Sequence, residues 1–202
     1  MPEDKLQWVK LDTKDPIWEN FFTVAPLVVI GTREGHRFDL APKHMAMPLG
    51  HDNYFGFICT PRHSTYHNVQ REAGFTVSFP KPGQIVLTSL SASPREGTGD
   101  PGKPVVQKLP TVEAPGMDGI FLRDSYLFLE CEHEKTLDGF GQNSLICGRI
   151  TGAYLDPAYQ RLSEVDEQEM VARSPLLAYL AYGRFAEIRN SMAFPFPKDF
   201  KN

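Results

Sequence analysis

The chain has 202 residues, with 21 basic and 25 acidic side chains and a formal net charge of −4. Its 41% hydrophobic and 23% charged fractions exclude global disorder, and its charge balance excludes a general nucleic-acid or anionic-membrane binder. The length suits one domain with a sizeable core. Proline and glycine are abundant at 17 and 16 residues, and ten of them fall within residues 94–119. That stretch reads as a long loop, a feature that is uncommon in compact domains unless it has a function.

In chain order, Asp15-Pro16 predicts a cap and first helical proline, opening a short helix through Trp18 and Phe22. Leu27–Thr32 reads as a buried β-branched strand, turned by Glu34-Gly35 into a second strand near His36–Leu40. His44–Met47 follows as an irregular stretch stopped by Pro48. Tyr54–Cys59 is predicted as a strand and Thr65–Ala73 as a helix, with Ser64 as its N-cap and Gly74 as its stop. Phe75–Phe79 alternates as a strand ending at Pro80, and Gln84–Ser91 suits a short helix. Beyond the loop, Tyr126–Lys135 and Leu145–Tyr154 are strong strands. Ser163–Glu167 reads as an acidic helix start, and Ser174-Pro175 as a second cap leading into helical Leu176–Leu180. Tyr179, Tyr182 and Phe185 are expected to pack one face, against the body or a partner subunit. The order predicts a mainly β, antiparallel barrel or sandwich in one domain, residues 1–202.

Cys59, Cys131 and Cys147 lie in apolar runs without a C-x-x-C and are expected as buried thiols. The first residues lack a signal pattern and no apolar run reaches a membrane span, so a cytoplasmic protein without a membrane partner is expected. His63 and His67 have i,i+4 spacing but no H-E-x-x-H glutamate, so no metal site is expected. No G-x-S-x-G elbow suggests a hydrolase. The most informative stretch is the strand-to-helix junction Cys59–Asn68. A helix N-terminus offers unpaired N–H groups and partial positive charge. Arg62, Ser64 and Thr65 beside it are donors suited to a phosphate.

Several segments in order resemble the flavin reductase-like family, the FMN-binding split β-barrel proteins of flavoredoxin type. They are Ala25–Thr32, Leu40–Met47, Arg62–Asn68, Gly74–Phe79, Leu129–Glu132 and Leu145–Ile150, which together span about residues 21–155. The resemblance implies a six-stranded antiparallel Greek-key split barrel with short inserted helices, followed by a helical extension over about 156–202. It also implies a homodimer with FMN near the dimer interface. His44, Met45, Ala46 and Met47 would present backbone groups to the isoalloxazine edge. Arg62, Ser64, Thr65 and Asn68 would hold the phosphate, with Thr65 and Asn68 matching the family's T-x-x-N.

The function implied is an FMN-dependent oxidoreductase passing electrons between reduced nicotinamide, NADH or NADPH, and the flavin. A small molecule or a protein would be its electron partner. No side chain is needed as a nucleophile. The chain departs from the family at Asp39, Lys43, His44 and Ser78. Gly141-Gln142-Asn143 stands where many reductases carry G-x-H, and asparagine cannot shuttle a proton as imidazole does. That difference keeps a flavin-binding electron carrier that does not use NAD(P)H as the alternative. In the barrel reading, the 94–119 loop passes near the flavin and limits what reaches it.

Overall fold

In the computed structural model, residues 8–98 and 102–197 are described. Among these residues, three α-helices and twelve strands position the site. The first strands are β1 (Thr23–Pro26), β2 (Val28–Glu34), β3 (Arg37–Lys43), β4 (Ala46–Pro48) and β5 (Tyr54–Cys59). Helix α1 (Ser64–Glu72), β6 (Gly74–Phe79) and α2 (Ile85–Leu90) follow. Next come β7 (Thr111–Glu113), β8 (Ile120–Leu122), β9 (Leu127–Phe140) and β10 (Asn143–Leu155). The chain closes with α3 (Glu167–Arg173), β11 (Leu176–Ala181) and β12 (Arg184–Ile188). The helix expected after Pro16 is a 3-10 turn, Ile17–Asn20.

The main sheet is antiparallel with strand order β3-β2-β6-β9-β10-β5-β4. One strand more than the expected six is present, and β4 comes from the stretch expected to be irregular. Pro48 does not prevent β4, because this strand is at the sheet edge, where a missing N–H costs no ladder bond. The half-barrel closes on a core of Val28, Ile30, Phe55, Phe57, Phe75, Val77 and Ile146. Val69 of α1 enters that core. The three cysteines are buried and unpaired, and burial pushes the Cys131 thiol up to about 12.

Strand β2 is buried on both faces. Val28 and Ile30 face the half-barrel core, whereas Val29 and Leu40 belong to a second cluster with Val106, Leu109, Ile120 and Leu122. The Pro/Gly-rich segment therefore supplies a cover for the outer face of the sheet, through a 3-10 turn at Pro104–Lys108 and the β7–β8 hairpin. Gly31 permits this approach, since a Cβ there would sit 2.3 Å from Thr76 Oγ1 and 2.6 Å from the Ile120 carbonyl. The Thr76 hydroxyl donates to that carbonyl at 2.6 Å, and Ser78 accepts from the Leu122 N–H at 3.0 Å. Ser78, one of the departures from the family pattern, thus serves β8.

Among its described residues, the extension over 156–202 has a 3-10 turn at Pro157–Tyr159 and one α-helix, α3. Leu176–Leu180 forms a strand instead of the expected helix. Its alanines and leucines favour a helix locally, but β11 pairs with β1 on one edge and β12 on the other. Two ladders of backbone hydrogen bonds outweigh propensity differences of a few tenths of a kcal/mol per residue. The first cap shifts as well, since His63, not Ser64, precedes α1, and Ala73 closes it in the left-handed region at φ 54°.

Candidate functional site

The two segments singled out from the sequence meet at the C-terminal end of β5. From there, Thr60–His63 leads into α1, while the Ile58 N–H donates to the Met45 carbonyl at 2.8 Å. Lys43, the last residue of β3, reaches the same place, with Nζ 3.5 Å from Cys59 Sγ.

The start of α1 is shaped by local hydrogen bonds. The Arg62 N–H donates to Thr60 Oγ1 at 3.4 Å, and the His63 N–H to the Thr60 carbonyl at 3.0 Å. The Tyr66 N–H returns to the His63 carbonyl at 3.1 Å. No side chain caps the helix. Among the described residues, the Ser64 and Thr65 N–H groups and hydroxyls make no hydrogen bond. Thr65 is only 2% exposed, Ser64 half-buried and Arg62 exposed. Four donors thus remain free around the positive end of a nine-residue helix.

The surrounding charges are positive. His63 is held below the ordinary histidine value by burial, then by the positive charges of Lys43 and Lys103, with Asp39 opposing. Lys103 Nζ lies 3.0 Å from Asp39 Oδ1 and donates to the Leu40 and Ser91 carbonyls at 2.9 and 3.1 Å. Arg95 bridges Asp39 and Glu34, each at 2.9 Å. The cations of the Pro/Gly-rich segment thereby neutralise Asp39, which is 3% exposed. Lys43 reaches Cys59 and acts on His63, the residue before the helix, and Arg62 lies exposed in the turn leading into it. The donor types, their free state and this field suit a phosphate.

Asn68 is placed differently from Arg62, Ser64 and Thr65. Its amide nitrogen donates to Thr32 Oγ1 at 3.1 Å and Glu34 Oε1 at 3.5 Å, and its oxygen accepts from Arg71 at 2.9 Å. It is fully buried and fixes α1 to β2.

The His44–Met47 segment adjoins the Lys43 corner. Ala46 and Met47 pair with Phe57 and Gly56 of β5, leaving the other edge of β4 as the sheet's rim. His44 is half-buried, with its ring 4.8 Å from that of Tyr179 and 6.1 Å from that of Tyr182. Burial, and then the Lys43 charge, hold its imidazole below the ordinary value. A groove of about 490 Å³ runs along this edge, lined by His44–Met47 with Trp18, Val24 and Tyr182 among others. Its apolar walls suit a flat ring.

Lys43, Lys103 and Tyr179 are site residues that the sequence reading did not assign. Lys43 is adjacent to His44, but its partner Cys59 is 16 positions away, and no local pattern connects them. Tyr179 reads from the sequence as part of a helix face, whereas its ring lies beside that of His44. Gly141 and Gln142 turn the β9–β10 hairpin, and Asn143 is exposed at its tip.

The described helices include none long and apolar enough to cross a membrane. A search of curated proteins returns no match. Among solved structures, flavoredoxin from Methanosarcina acetivorans superposes with a TM-score of 0.73 at 15% identity, over 96% of this chain and 97% of that one. The FMN-binding protein from Thermus thermophilus, with bound 1-cyclohex-2-enone, gives 0.72 at 19% identity, over 93% and 99%. The Streptomyces globisporus C-1027 NADH:FAD oxidoreductase gives 0.70 at 14% identity, over 90% and 98%. At these identities the likeness establishes the split-barrel fold. The flavin reductase like domain matches residues 22–181, and the chain belongs to that family.

Proposed function

We propose that the protein binds FMN and works as an oxidoreductase passing electrons between reduced nicotinamide and that flavin. The observation that carries this reading is the cluster of free donors at the start of α1, beside the exposed edge segment His44–Met47. The residues fit the cofactor on two grounds. Ser64 and Thr65 have N–H groups and hydroxyls without acceptors in a positive field. His44 Nε2 is buried without a partner next to an apolar groove. When bound, the flavin supplies the hydride and single-electron chemistry.

Arg62, Ser64 and Thr65 would hold the phosphate, with Lys43 adding long-range attraction. Asn68 positions the helix that carries them. Met45, Ala46 and Met47 set the plane of the groove, and their side chains exclude water from one side of it. Among the solved neighbours, one is an FMN-binding protein and another an NADH:FAD oxidoreductase, which supports a flavin with a nicotinamide donor.

A second reading, a flavin-binding electron carrier that does not accept hydride from nicotinamide, is favoured by one observation. The hairpin tip carries Asn143 in place of the imidazole that many reductases have.

We also propose a homodimer. Val24 and Met47 are 70% and 54% exposed beside the β4 edge, with Trp18 and Met45 also exposed. Isologous pairing would cover this apolar edge and protect it from open-ended strand addition.

The phosphate assignment is tested by FMN titration of the wild type and the Ser64→Ala/Thr65→Ala double variant. Losing two hydroxyl bonds to a charged group should weaken FMN binding roughly 10- to 100-fold. The melting temperature should fall by no more than a few degrees, since neither hydroxyl bonds within the protein and the loss is the buried Thr65 methyl. Equal affinity would remove the assignment. Anaerobic mixing of the FMN-loaded protein with NADH and with NADPH should bleach the flavin absorbance with at least one of them; no bleaching with either selects the carrier. Sedimentation at micromolar concentration should give a dimer, and a monomer would contradict the proposed pairing.

A further inference from the structure

Two carboxylates lie behind the helix that carries the proposed phosphate site. Asp39 of β3 and Glu34 at the end of β2 have side chains only 3% and 16% exposed. Both stand next to the anchors of α1. Asp39 is the cross-strand partner of Thr32, whose hydroxyl accepts from the Asn68 amide at 3.1 Å. Residues directly opposite in an antiparallel pair share a face of the sheet, with Cβ atoms about 5 Å apart. Glu34 Oε1 lies 3.5 Å from the same Asn68 nitrogen. Charges so poorly exposed are weakly screened, and two negative ones here oppose an anion at the start of α1.

Arg95, in the Pro/Gly-rich segment, answers both. One nitrogen of its guanidinium is 2.9 Å from Glu34 Oε2 and the other 2.9 Å from Asp39 Oδ2. A planar fork holds two carboxylates in a fixed geometry that a lysine ammonium does not reproduce. Lys103 Nζ adds a charge 3.0 Å from the second oxygen of Asp39, and Arg37 Nε one 3.8 Å from Glu34. These three cations outnumber the two acids, so the cluster turns from a source of repulsion into one of attraction for an anion. Loss of Arg95 removes that surplus. The field extends to the residue before the helix, since Asp39 and Lys103 act in opposite directions on the His63 ring.

We propose that Arg95 is a positioning residue of the phosphate site: by neutralising Glu34 and Asp39 behind α1, it sets how strongly the site prefers a phosphorylated flavin over the dephosphorylated one. Its contacts are with the two carboxylates, and it acts through them. The inference rests on the flavin reading. It gives the Pro/Gly-rich segment a part in cofactor choice besides its cover of β2.

The test is a titration of the full-length protein with FMN and with riboflavin, at low and at high salt. It compares the wild type with Arg95→Met, Asp39→Asn and the Arg95→Met/Asp39→Asn double variant. At low salt, Arg95→Met should weaken FMN about tenfold and riboflavin by roughly twofold at most. The double variant has the wild-type net charge and should recover FMN affinity to within about threefold. Asp39→Asn alone keeps Arg95 and the side-chain shape, and should tighten FMN about threefold. These differences should shrink at high salt.

A residue that only stabilises the fold would lower the melting temperature of Arg95→Met and leave the ratio of FMN to riboflavin affinity as it is. That result overturns the proposal, and so does a double variant that binds FMN no better than Arg95→Met. Should Arg95→Met fail to fold, Asp39→Asn decides, and unchanged or weaker FMN binding overturns the proposal. A wild type that binds the two flavins equally overturns the phosphate assignment and this inference together. A wild-type preference for FMN that Arg95→Met retains overturns this inference alone.

Discussion

A buried carboxylate needs compensating cations, and much of this structure follows from how Asp39 obtains them. Leaving one uncompensated costs several kcal/mol. Arg95 and Lys103 supply the charge from either side of the short stretch outside the described residues, and Lys103 also bonds the Leu40 and Ser91 carbonyls. These contacts tie the Pro/Gly-rich segment to β3. Beyond them, Val106, Leu109, Ile120 and Leu122 cover the outer face of β2. One ionic hub therefore joins the burial of the central sheet to the charge distribution around α1.

That distribution gives the site its chemistry. With Asp39 satisfied by its own partners, Lys43 and Arg62 remain near a helix start that no side chain caps. The hydroxyls and N–H groups of Ser64 and Thr65 are left without acceptors, an arrangement that favours an anion. A few residues away, the same end of β5 holds the carbonyl of Met45 and sets the edge strand β4. Polar donors and an apolar groove are thus fixed by one strand end. That is the juxtaposition a phosphorylated, ring-bearing cofactor requires.

Much of this was legible in the sequence because its signals are local. Tyr54–Cys59 was read with the bounds the strand has, and the strand-to-helix junction was recognised from a few consecutive residues. The misread parts depend on distant partners. Leu176–Leu180 looks helical until β1 and β12 pair with it. His44–Met47 looks irregular until β5 offers an edge. Asn68 completes a T-x-x-N spacing in the sequence, and no spacing rule reveals that its amide is bonded to Thr32 and Arg71. The Pro/Gly-rich segment has apolar residues that cover a sheet face because β2 is buried on both sides, a task that only the tertiary structure shows. Arg95 and Lys103 gain their meaning only from tertiary contacts.

The central claim is that the start of α1 recognises the phosphate of a flavin nucleotide, and comparing FMN with riboflavin addresses it most directly. The two share the ring and differ in the phosphate, so the ratio of their dissociation constants isolates that group. With two or more charge-assisted hydrogen bonds to it, FMN should bind at least about 100-fold more tightly than riboflavin at moderate salt. Equal affinity for the two would contradict the account.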